Sequence, residues 1–130
     1  GSMSDWADWL PPTDLSALKV QPDSAILRID ALKQCLADIA ANKPEIKSVR
    51  HDLLRALEPG LRAELVDLLK AIKTVSLVLE QDVRQRAMMG NGAPLSRIHI
   101  YRVENAKGTK YALVSLTADA RIADISLREE

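Results

Sequence analysis

The chain has 130 residues, 47% of them hydrophobic and 28% charged, and its formal charge at neutral pH is zero. That length fits one domain able to bury a core, and the charge balance removes the simplest case for nucleic acid or a strongly acidic partner. A single cysteine excludes an internal disulfide framework and makes a reducing compartment, the cytoplasm, the expected setting.

Gly1, Ser2 and Met3 read as a cloning remnant around a native start at Met3, and no secretory signal pattern follows. No apolar run approaches the ~20 residues of a membrane span. Residues 1–22 are expected to form this remnant plus an extended arm, and residues 23–130 a single α+β domain. The arm holds both tryptophans, Trp6 and Trp9, beside Leu10, and is broken by Pro11, Pro12 and Pro22. Two readings of the tryptophans compete. They fold back to seal the chain's own core, or they anchor a partner, a use for which tryptophan is well suited.

Asp23 or Ser24 is expected to cap a first helix running to about Ala41, with Ile26, Ile29, Leu32, Leu36 and Ile39 as its buried stripe. Asn42 ends it. Pro44 opens a shorter helix to about Glu58, with Ile46, Val49, Leu53, Leu54 and Leu57 inward. Pro59 suits the first turn of a third. Leu61, Leu65, Leu68, Ile72, Val75 and Leu79 then recur at spacings of four and three, the seam of a helix packed on helices. On that spacing the third helix is long, from Leu61 to Met89, and ends at Gly90 and Gly92.

Gly90-Asn91-Gly92-Ala93-Pro94 is the clearest loop, after which the period changes. Arg97 to Val103 and Tyr111 to Thr117 alternate as strands of a hairpin. Pairing Asn105 with Tyr111 gives one face of Ile98, Ile100, Ala112, Val114 and Leu116, and another of His99, Tyr101, Ser115 and Thr117. Arg121 to Leu127 is assigned to a third antiparallel strand, because a hairpin alone is marginal. The expected fold is therefore a three-helix antiparallel bundle with a long third helix, followed by a small antiparallel β-sheet.

Little here marks chemistry. Cys35 sits on an apolar helix face and reads as structural. His51 and His99 lack neighbours at metal-ligand spacing, so no metal or cofactor is expected. Gly90-Asn91-Gly92 does not open a helix and makes no phosphate loop. Three functions are weighed. The first is a non-enzymatic protein-interaction module, an adaptor, assembly factor or regulatory subunit, binding a protein partner or a second copy through the arm and the bundle. Trp6, Trp9, Leu10, Met88 and Met89 are its contact residues. The second is a winged-helix-like DNA-binding regulator. The order of helices and hairpin resembles that fold from about Ser24 to Thr117, with Arg97, Arg102, Lys107 and Lys110 as phosphate contacts. Mixed charge on the third helix, Arg62, Glu64, Asp67, Lys70 and Lys73, argues against it. The third is a small RNase or toxin-like enzyme using His99 as acid or base, with Arg97, Tyr101, Lys110 and Tyr111 nearby. The first is preferred.

Overall fold

The computed structural model describes residues 4–6 and 9–129. The expected remnant at residues 1–3, and Ala7 and Asp8 of the arm, lie outside the described residues. Strand β1 (Ser4–Asp5) and a 3₁₀ turn (Leu15–Ala17) belong to the arm. Helices α1 (Ile29–Ala40), α2 (His51–Ala56) and α3 (Pro59–Leu69) follow. Then come β2 (Ile72–Asp82), β3 (Met88–Gly90), β4 (Ala93–Pro94), β5 (Arg97–Asn105), β6 (Gly108–Leu116) and β7 (Ile122–Glu129).

The expected three-helix bundle with a long third helix is not what forms. Three short helices lie on one face of a four-stranded antiparallel sheet ordered β2-β5-β6-β7. The long third helix ends at Leu69, and Ile72–Asp82 is a sheet-edge strand. The physical cause is a bulge. Register shifts between Leu77 and Leu79, so Val78 and Leu79 both join the apolar cluster on the face away from the helices while Leu77 joins the other. The extra residue hides the two-residue period, and Leu77, Val78 and Leu79 become three consecutive apolar residues that continue the helical spacing by coincidence. Gly90 and Gly92 end no helix. Asn91 (φ 46°) and Gly92 (φ 78°) are the two central residues of a tight turn joining β3 to β4, where positive φ matches the strand twist.

The second helix also starts late, at His51 and not at Pro44, because the segment before it pairs with β7 at Ile122; other boundaries moved less. Ser24 Oγ accepts from the N–H groups of Ile26 and Leu27, closing a separate turn, and α1 begins only at Ile29, whose N–H donates to Asp23 Oδ1. Asn42 follows α1 at φ 58°, the left-handed end expected of it. Pro59 opens α3. The hairpin and third strand are present, with β7 antiparallel to β6. The hairpin register differs: Asn105 faces Gly108, and Ile100 faces Leu113. Asn105 Oδ1 accepts from the Lys107 N–H and Gly108 takes φ 133°, so the turn closes earlier than expected.

This register sends His99, Tyr101, Val103, Ala112, Val114 and Leu116 toward the helices, where they pack with Leu32, Leu36, Ile39, Leu53, Leu65 and Leu68. Ile98, Ile100, Tyr111, Leu113 and Ala123 meet Trp6, Trp9, Met88 and Leu95 on the opposite face. The sheet is thus a middle layer, covered by helices on one side and by the arm and the β3–β4 hairpin on the other. β1 pairs in parallel with β3, and the Gln21 N–H donates to Leu77 O, tying the arm to the β2 edge.

Candidate functional site

The histidine constellation is a closed polar core. His99 and Tyr101 are both fully buried. Tyr101 Oη donates to Leu27 O at 2.7 Å and lies 2.9 Å from His99 Nδ1. A phenol has one proton, and it is committed to Leu27 O, so Nδ1–H is the donor to Oη. The Nε2 lone pair then faces Glu80, 3.6 Å away, with no hydrogen-bond partner. Burial pushes the His99 pKa down to about 4 against the opposing pull of Glu80, with Arg97 adding to the fall. Burial likewise raises the Tyr101 phenol. These groups do not line a surface on which a substrate could sit. Tyr111 faces Arg102 on the opposite side of the sheet, and Lys110 pairs with Val103, so neither joins His99.

The residues expected to bind partners are spread between core and surface. Trp6 and Trp9 are buried in the chain's own second apolar cluster, and Trp6 Nε1 donates to Asp124 Oδ2 at 2.8 Å. Met88 is buried, Met89 is half-buried, and Leu10 is 76% exposed. Of the basic residues, Arg97 lies 3.6 Å from Glu80, and Lys107 pairs with Asp67 at 2.8 Å. Arg102 donates to Leu18 O at 2.6 Å and stacks 5.7 Å from the Tyr111 ring centre. Lys110 is half-buried. β5 and β6 are the central strands, so their hairpin is not a free wing.

A surface the sequence left unmarked is the outer edge of β7. Its first residue is covered: the Ile122 N–H donates to Ser48 O, and Ile122 O accepts from the Arg50 N–H, each at 2.8 Å. A bulge follows on β7 itself, with Ala123 the extra residue between the Leu116–Ile122 and Ser115–Asp124 pairs. Backbone groups alternate in direction along a strand, and the Ile125 N–H turns out to Asp124 Oδ1 at 2.8 Å. Leu127 and Glu129 therefore point their backbone groups outward as well. Asn91 Nδ2 donates to Ala123 O at 2.9 Å, and among the described residues no backbone–backbone hydrogen bond reaches this edge beyond Ile122.

Beside that edge runs a groove of about 240 Å³. Leu53, Ala56, Leu57 and Leu61 from α2, α3 and the turn between them form one wall, and Ile125 and Asn91 the other. Glu58 and Asp124 supply its acidic rim, with no basic side chain among the lining residues. The sequence signal for it was slight: only the strand assignment of Arg121 to Leu127. Among the described residues no three His, Cys, Asp or Glu side chains lie close enough to hold a metal ion, and no helix is long and apolar enough to cross a membrane. Comparison with protein-family models, with curated protein sequences and with solved structures gives no match.

Proposed function

We propose that this chain is a protein-interaction module that takes up an extended segment of another polypeptide along β7. The observation that carries the reading is the edge from Leu127 to Glu129, which among the described residues receives no backbone–backbone hydrogen bond on its outer side, running on from an apolar groove at Ile125. A strand added there would gain main-chain hydrogen bonds from the edge, and alternate side chains would enter the groove. Its acidic rim, Glu58 and Asp124, favours a segment with apolar residues at every second position and a lysine or arginine among them. The class of function is the one preferred from sequence, but the surface is new, since the expected bundle does not exist and the tryptophans are spent on the core. A lone cysteine fits a reducing compartment such as the cytoplasm.

A phage-displayed library of random octapeptides selected on the whole chain tests this. Enriched peptides should alternate apolar residues and carry a basic one. Leu127→Pro, which removes an outward N–H without touching the bonds to β6, should lose them while keeping its circular dichroism spectrum. A library that yields no such peptides, or equal capture by the variant, refutes the reading. Light scattering over rising concentration separates capture of a foreign strand from pairing with a second copy.

A further inference from the structure

On the other flank of α2 two grooves, of about 560 Å³ and about 210 Å³, meet at His51 and Leu54. Lys47 and Arg121 line the first; Lys43, Arg55 and Arg62 line the second. Glu45 is the single acid among these lining residues. Lys43 and Arg55 are already paired, with Asp38 at 2.9 Å and Asp52 at 3.4 Å. Lys47 and Arg62 have no acidic partner among the described residues. Arg121 is held by its bond to Val49 O at 3.2 Å. Arg121 lines the larger groove and Arg62 the smaller, and the Nε atom of each is buried and without a hydrogen-bond acceptor. A buried donor left unsatisfied is costly and calls for an acceptor.

We propose that this concavity binds a phosphoryl group carried by a small soluble molecule. Guanidinium forks match the oxygens of a phosphoryl group, and Lys47 and His51 add further donors to it. A phosphoryl group brings up to two negative charges and three acceptor oxygens, which suits cations on both sides of His51 better than a single carboxylate. The larger groove is the size of a small-molecule site. Ile46, Val49 and Leu54 give it an apolar wall for the rest of the ligand. Asp38, Asp52 and Glu45 interrupt the basic surface around it, which disfavours a long polyanion such as nucleic acid.

Sodium pyrophosphate is the probe, titrated into the whole chain in about 100 mM sodium chloride at constant ionic strength. Calorimetry and amide chemical shifts give the readout. Saturable shifts confined to residues 43–55, Arg62 and Arg121 are expected, with a dissociation constant below about 1 mM. The pair Lys47→Gln and Arg62→Gln, whose side chains make no hydrogen bond among the described residues, should weaken binding by about tenfold or more. Lys107→Gln, at the hairpin tip, should change nothing. Shifts that do not saturate, shifts of equal size at Lys107 and Lys110, or wild-type affinity in the double variant would each overturn the proposal.

Discussion

Acid should destabilise this protein in a window set by one buried imidazole. His99 is fully enclosed, its Nδ1–H is used by Tyr101, and its Nε2 faces Glu80 at 3.6 Å. The charged groups around it are Glu80 on β2 and Arg97 on its own strand, and Asp23 and Cys35 act on Tyr101 from the helix side. Burial wins over the attraction of Glu80, so the folded chain refuses a proton until about pH 4, where a free histidine takes one at 6.5. The unfolded chain binds that proton first. Stability is therefore whole above pH 6.5, falls as pH drops toward 4, and levels off below. Between about pH 7.5 and about pH 4.5 the loss amounts to ~2.5 kcal/mol. The paired carboxylates Asp38, Asp52, Asp67, Asp82 and Asp119 have lowered pKa values, so their contributions vanish only below their unfolded value of 3.8. The two windows are separate. Urea unfolding at a series of pH values, for the wild type and for His99→Gln, reads the difference directly. The glutamine amide can still donate to Tyr101 but does not titrate, so its profile should be flatter by that amount. Parallel profiles, or a His99 imidazole that titrates near 6.5 in the folded chain, would refute the reasoning.

Trp9→Ala should cost about 3–5 kcal/mol in urea denaturation, because the ring is spent inside the second apolar cluster; a loss below about 1 kcal/mol would mean that the arm is not core. Tyr101→Phe strands the Leu27 carbonyl and His99 Nδ1–H together, for an expected loss of about 2–4 kcal/mol; an unchanged unfolding midpoint would show that the pair is not bonded as described. Burial, aided by Asp38, raises the Cys35 thiol, so it should react with a disulfide reagent at about pH 8 only after denaturation. Fast reaction of the native chain would contradict that enclosure.

What could be read from sequence, and what could not, follows from period and punctuation. α1 was found because its buried stripe is regular and Asn42 stops it. β5 and β6 are legible because β-branched and aromatic residues alternate there, and β7 only because a hairpin alone is marginal. β2 was lost because the bulge at Leu77–Leu79 broke its alternation and no glycine or proline stands between Leu69 and Ile72. The spacings of Leu61, Leu65 and Leu68 then ran on by coincidence through Ile72, Val75 and Leu79. The Asn91-Gly92 pair is a hairpin signal in its own right, masked by the helical spacing of the residues before it. From sequence alone His99 falls on the hairpin face of Tyr101, Ser115 and Thr117, which a small sheet packed on one side would leave wet, whereas the four strands here are covered on both sides. The groove beside β7 brings α2 and α3 to Asn91 and Ile125, and the basic concavity brings Arg121 to His51; such meetings of distant residues leave no local pattern.

Amide hydrogen exchange along β7 tests the interaction surface most directly. In the free chain Ser126 and Arg128 turn toward β6 while Leu127 and Glu129 turn outward. Protection should therefore alternate, slow at Ser126 and Arg128 and fast at Leu127. With a selected alternating peptide bound, exchange at Leu127 should slow by about a hundredfold while Ser126 changes little. A Leu127 amide already protected in the free chain, or one left unprotected with the peptide bound, would contradict strand addition at β7.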